Sequence, residues 1–532
     1  MTAKSSILPF GTCFINSAST RGQFCVLPWE ICFVPWDLAC ERNWLSAERL
    51  ALTTEQKSAE GIVGCELGRR PERFPSMGLK DGRSHLSRDS ASASVGQRPL
   101  WDERAVGETK EDAPEQEQRL MERVLERSNL ICALRQVKSN AGSPGADGMS
   151  VEALSGHLRQ HWPELRERLL RGQYQPQPVR RVAIPKAGGG RRTLGIPSVV
   201  DRFIQQALLQ VLQRDWDASF SAHSFGFRPN RSAHMALACA QEYLSAGYSW
   251  VVDVDLEKFF DRVNHDKLMA RVKQRVADTR VLKLIERYLK AGALSAGKLH
   301  ATEEGTPQGG PLTPLLANLL LDDLDKELER RGHRFARYAD DCNVYVRSHK
   351  AGQRVLAGVT KYLERVLKLK VNEAKSAVDR PWKRKFLGFS FTARRPNRRR
   401  VADAAIKRFK DQVRQITRRT SGVTLSEVLA QLRVYLKGWK NYFGFSQTHS
   451  RFQELDKWIV RRLRCYLWKQ WGRRGYRELR ALGVSRELAW HTSKSAHGPW
   501  RLSRSPALSF ALPGRYFRAR GLPSLYDHAT AT

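Results

Sequence analysis

Two short apolar segments that carry carboxylates at one end constrain this chain more than any other feature. In residues 252–261, VDVDLEKFFD, Asp253 and Asp255 alternate with Val252 and Val254, so both acids point to one face of a strand and the valines to the other. In residues 335–346, FARYADDCNVYV, the adjacent Asp340 and Asp341 are followed by alternating Val344 and Val346, which reads as strand, tight turn, strand. Either cluster alone reads more readily as a solvated turn. Acids set among apolar strand residues are costly to desolvate unless a cation or donor compensates, so two such clusters together imply something positive between them.

Magnesium suits that position, because it takes oxygen ligands and bridges carboxylates to substrate phosphates. Such a site supports in-line phosphoryl transfer, with two ions about 3.5–4 Å apart on the attacking and leaving oxygens. Carboxylates alone leave two versions open: attack by a primer 3′ hydroxyl on a nucleoside triphosphate, and hydrolysis of a phosphodiester.

The partner is narrowed by charge. Lys and Arg number 91 against 54 Asp and Glu, a net charge of +37, which favours a polyanion, nucleic acid first. A ribosomal-type structural binder has the same signature, so charge does not by itself make an enzyme. No apolar run long enough to span a bilayer is found, and the start is a poor signal peptide, its apolar run broken by Pro9 and Gly11. The 9 cysteines are irregularly spaced with no CxxC pair, which points to a reducing compartment and away from a zinc site.

Residues 1–115 hold five of those cysteines and a serine-rich stretch; they read as a leader that forms no stable domain, or as upstream sequence carried by an early start codon. Beyond them Leu120, Val124, Leu125, Leu130, Leu134 and Val137 recur at helical spacing, and a second helix is expected over 151–171. Val182, Ile184, Leu194 and Ile196 flank a glycine-rich basic turn that contains Lys186 and Arg192, which predicts a hairpin.

At this point the chain resembles the reverse transcriptases. Tyr338, Ala339, Asp340, Asp341 is similar to their YADD box, and Asp255 to Asp261 to the partner acidic motif. The ordered set between them carries the specificity: Gly305, Thr306, Pro307, Gln308, Gly309, Gly310, Pro311, Leu312, then Pro314, Leu315, Leu316, Ala317, Asn318. Outside these lie His223 to Pro229, Asn372 to Lys375 and Phe386 to Phe389, and Leu436 to Phe443 resembles the maturase region of bacterial group II intron proteins.

The resemblance implies an α+β right-hand polymerase fold of fingers, palm and thumb, its palm an antiparallel sheet followed by a helical maturase region. It divides the chain into fingers and palm over 116–378, thumb and maturase over 379–485, and a basic tail over 486–532 with no HNH endonuclease, since that tail lacks cysteine. It implies that Asp255, Asp340 and Asp341 are the catalytic acids and hold Mg2+, with Mn2+ as the alternative ion. Asp253 reads better as a hydrogen-bonding neighbour.

For the nucleotide, Lys186 and Arg192 would close over the triphosphate, Phe260 would exclude a ribose 2′ hydroxyl, and Gln308 would sit where base or template approaches. Partners implied are group II intron RNA, an RNA template, a DNA primer or target and deoxynucleoside triphosphates, in a bacterial cytoplasm and with no membrane; oligomeric state stays open, a dimer included. Two alternatives remain: an RNA-binding splicing maturase without polymerase activity, and a reverse transcriptase of a retron, diversity-generating or phage-defence system. Past Trp382, cations interleave with aromatics, Arg461, Arg462 and Arg464 with Tyr466, Trp468 and Trp471, a pattern that suits phosphate contact with base stacking or a helical core.

Overall fold

The computed structural model describes residues 119–185, 191–295 and 298–526. The expected leader, Lys186 and the last residues of the tail lie outside them. The first apolar run forms two helices, α1 (Leu120–Val124) and α2 (Arg127–Asn140), where its period suggests one. The break has a cause: Asn129 Nδ2 donates to the Val124 carbonyl at 2.8 Å and to the Ala207 carbonyl at 3.0 Å, so it caps the first helix while pinning the second. Next come α3 (Leu154–Leu170), then β1 (Val179–Pro185) and β2 (Arg191–Ile196), an antiparallel hairpin with Val182 opposite Leu194.

Helix α4 (Val199–Trp216) starts at Ser198, whose hydroxyl accepts from the Asp201 amide, and its apolar residues bury almost all round. The chain continues through α5 (Ala233–Ser245), β3 (Trp250–Val254), α6 (His265–Lys273), α7 (Thr279–Lys290), β4 (Ala293–Ser295), β5 (Lys298–His300), α8 (Thr313–Arg330), β6 (Arg334–Tyr338), β7 (Asp341–Val346), α9 (His349–Tyr362) and β8 (Ala377–Asp379). Two four-stranded sheets result. One has order β2-β1-β4-β5, with β1 and β4 parallel; the other has order β6-β7-β3-β8 and is antiparallel throughout.

In the second sheet, Val252, Val254, Cys342 and Val344 point into the larger core together with α4 and α8. On the other face Val251, Ala336 and Tyr345 pack on Leu237 and Ala240 of α5, which covers that face away from the acids. The fold is therefore α+β, as expected, with one four-stranded sheet antiparallel throughout and the other mixed.

After β9 (Phe389–Phe391) and β10 (Arg399–Val401) the chain is helical: α10 (Asp403–Ile416), α11 (Leu425–Phe443), α12 (Ser450–Trp471), α13 (Gly475–Ala481), α14 (Arg486–Lys494) and three short helices to Arg518. Thr424 and Glu427 form a capping box at the start of α11. Trp439 lies in this second core, 4.5 Å from the Phe409 ring and 4.7 Å from Phe443.

The expected break at 485/486 falls inside one core, since Leu508, Leu512 and Phe517 are fully buried against the same helices. Tyr466 and Trp468 of the basic aromatic run are buried there too, and Arg462 and Arg464 donate to the Thr417 and Leu512 carbonyls, so this run is largely structural rather than a stacking surface. Among the described residues no helix is long and apolar enough to cross a membrane.

Candidate active site

Sheet register brings the two acidic segments together. Asp253 pairs with Asn343 and Val254 with Cys342, so the ladder ends one residue short of Asp255 and Asp341 and brings both to the same end of the sheet, near enough for the Asp255 charge to act on Asp341. Tyr338 pairs with Asp341 around a two-residue turn, in which Ala339 adopts φ 58° and Asp340 sits at the tip. Directly opposed residues share a face, so Asp253, Asp255 and Asp341 line one face at the open end of the sheet. Burial, together with the charges of Asp253, Asp340 and Asp255, pushes the Asp341 carboxyl well above the usual carboxylate range.

Cations answer part of this charge. Arg384 donates to Asp253 Oδ2 from Nε at 2.9 Å, and a second guanidinium nitrogen lies 2.5 Å from the same oxygen. Burial still raises the Asp253 carboxyl. Lys375 Nζ lies 3.4 Å from Asp255 Oδ2, yet that oxygen is shielded from solvent and accepts no hydrogen bond. Crowded acids and an oxygen without a donor fit a hard cation. Among the described residues, however, no three carboxylate, His or Cys side chains already converge at ligating distance.

Beneath the turn lies a network absent from the sequence expectations. Arg337 points to the face opposite the acids; its side chain is 1% exposed and that of Asp325 on α8 is 0% exposed. Arg337 Nε donates to Asp325 Oδ1 at 2.7 Å, while Nη1 donates to Asn318 Oδ1 at 3.0 Å and to the Ala339 carbonyl at 2.8 Å. Asn318 in turn donates to the Gly226 carbonyl at 2.8 Å.

Gly226 completes the seat of the turn, because a Cβ there would stand 2.3 Å from the Ala339 amide nitrogen. Backbone cannot yield as a side chain can. Gly226→Ala is therefore expected to displace the turn and, on the polymerase expectation drawn from the sequence, to lower primer extension by about 10²-fold, with circular dichroism near that of the natural chain. Unchanged extension rates would show that the turn tolerates the shift.

Comparison with known proteins agrees with this geometry. Residues 184–391 match the family described as reverse transcriptase (RNA-dependent DNA polymerase), and residues 406–483 match the group II intron, maturase-specific domain. The chain carries a reverse-transcriptase domain followed by a group II intron maturase-specific domain. Protein YkfC of Escherichia coli (strain K12) is 40% identical over 220 residues, 40% of this chain and 58% of YkfC. Group II intron-encoded protein LtrA of Lactococcus lactis subsp. cremoris is 35% identical over 225 residues, 42% of this chain and 37% of LtrA. The match thus spans less than two thirds of either relative. A partial Cas6-RT-Cas1--Cas2 complex overlaps at a TM-score of 0.31, with 25% identity over 46% of this chain and 42% of that one, too loosely to argue from.

The other expected site residues lie within the reverse-transcriptase match. Phe260 lies in a tight turn (Phe259–Asp261), 9% exposed, its ring 5.0 Å from Phe259 in an edge arrangement. Most of its surface belongs to the core. Gln308 accepts from the Gly195 amide at 2.9 Å through its backbone carbonyl, and a Cβ on Gly309 would meet the Gly195 carbonyl at 2.6 Å. The glycine loop thus lies directly on β2. Arg192 pairs with Ile184 on that strand, but its side chain, like Lys186 as a whole, lies outside the described residues.

Proposed function

We propose that this chain is an RNA-directed DNA polymerase of a group II intron that also binds intron RNA to assist its splicing and mobility. The observation that carries the reading is the sheet register that brings Asp255 and Asp341 to one end of the sheet at the YADD turn, inside a reverse-transcriptase match and followed by a maturase match. In this reading the antiparallel acidic sheet is the palm, the mixed sheet belongs to the fingers, and the helices from α10 form the thumb and maturase region.

Asp255, Asp340 and Asp341 would hold Mg2+, which when bound stabilises charge on the attacking and leaving oxygens of an in-line displacement. Arg384 and Lys375 answer part of the acids' charge without it. Lys186 and Arg192 would meet the triphosphate of the incoming deoxynucleotide, and Gln308 the templating region. The substrates are then an RNA template, a DNA primer and deoxynucleoside triphosphates.

Primer extension by purified protein on an RNA template tests this directly. Extension with Mg2+ and its loss on chelation are expected; no extension, with intron RNA still bound, would replace the polymerase by an RNA-binding maturase. Phe260 supplies a second test. Trimming the ring in Phe260→Ala is expected to raise ribonucleotide over deoxynucleotide use by about 10²-fold, the scale on which a shaped apolar wall rejects one hydroxyl. Unaltered sugar preference would assign Phe260 to the core alone.

A further inference from the structure

At the end of the acidic sheet remote from the carboxylates lies a cleft of about 400 Å³, lined by Arg331, His333, Arg334, Arg347, Arg354 and Tyr248 among others. Arg334 pairs with Tyr345, four residues along from the pairing of Tyr338 with Asp341, so the cleft begins about 14 Å from the acids. It is separate from the site at which a primer would be extended.

Its charge is lopsided. Arg331 has a carboxylate partner in Glu327, but Glu327 also accepts from Arg330 at 2.7 Å, and the two cations hold it down to about 2. Arg334, Arg347 and Arg354 have no carboxylate partner among the described residues, and all three are exposed. The guanidinium of Arg347 lies 5.1 Å from the Tyr248 ring centre, and Arg334 and Arg347 draw the Tyr248 phenol below its usual range. Like charges gathered from the α8–β6 turn, the end of β7 and α9 repel one another unless an anion lies between them.

We propose that this cleft binds backbone phosphates of double-helical RNA, so that folded RNA docks on the palm away from the polymerase centre. Several guanidiniums spread over an open cleft suit a string of phosphates. Of the two tyrosines that line the cleft, Tyr345 is buried and Tyr248 carries Arg347 over its ring, so neither is an open platform for an unstacked base, and single strands are gripped through such platforms. Only the choice of RNA over DNA rests on the function proposed above.

The test uses the full chain in two triple variants, one carrying Arg334→Gln, Arg347→Gln and Arg354→Gln, the other the corresponding lysines. The probe is an RNA duplex of about 20 base pairs, titrated over a range of salt beside a DNA duplex of the same sequence. The glutamine variant should bind RNA at least about tenfold more weakly, with its log affinity against log salt slope reduced by about 2 to 3, near 0.9 for each phosphate no longer neutralised. The lysine variant should keep the slope.

An unchanged slope in the glutamine variant would overturn the proposal, as would an equal loss in the lysine variant or preference for DNA. Should the glutamine triple fail to fold, Arg354→Gln alone, on an exposed helical position, should reduce the slope by about 1; no reduction overturns the proposal. Extension of a short unstructured template should be unaltered in every variant. Absence of extension by the natural chain would count against the polymerase reading and leave these binding outcomes standing.

Discussion

Asp341→Asn is expected to abolish primer extension, by about 10³-fold or more, while leaving the apo protein at least as stable as the natural chain. Both halves follow from one arrangement. Asp341 sits among Asp253, Asp255 and Asp340, and burial together with those charges raises its carboxyl well above the ordinary range. A carboxyl whose folded-state pKa is raised makes folding weaker as pH climbs past the unfolded value, because the folded state then resists losing the proton. Asparagine has the same shape and no charge, so its stability advantage should be present at neutral pH and vanish below the usual carboxylate range. Added Mg2+ should reverse the order, since an ion that binds only the folded natural chain stabilises it by mass action. Thermal unfolding with and without Mg2+, beside extension rates, reads all three effects; a destabilised variant, or equal Mg2+ stabilisation of both proteins, would remove Asp341 from the metal site.

The acids were legible because strand periodicity is short and strict: once Val252 and Val254 face the core, Asp253 and Asp255 cannot. The YADD turn was legible for the same reason. What pairs with what across the sheet was not, since Asp255 is brought near Asp341 only through a register that two segments 86 residues apart do not encode locally. The split between α1 and α2 also escaped periodicity, because it depends on Asn129 reaching the Ala207 carbonyl on another helix. The tail after residue 485 reads as merely basic, yet Leu508, Leu512 and Phe517 fold it into the second core. Arg337 and Asp325 left a trace that could have been followed. Asp325 falls between Leu321 and Leu328 in the buried stripe of α8, and Arg337 shares a strand face with Phe335, so each charge sits at a position where the pattern calls for an apolar residue.

That buried pair gives the second large effect. Arg337→Ala should cost about 3–5 kcal/mol of stability, because it leaves the Asp325 carboxylate buried with no opposite charge. It should also slow extension, since the Ala339 carbonyl at the YADD turn and Asn318 both lose their donor. Loss of stability alone would explain poor activity, so the informative variant is the double change Arg337→Met with Asp325→Leu. A buried ion pair exchanged whole for apolar groups of similar volume costs little and can stabilise, which should return most of the lost stability. It restores no donor to Ala339, so extension should remain about 10²-fold down. Arg337→Lys falls between, keeping charge but losing the fork that reaches Asp325, Asn318 and Ala339 together. If the double variant regained full extension along with its stability, the pair would be holding only the fold, and the position of the acidic turn would have to come from Gly226 and the sheet register alone.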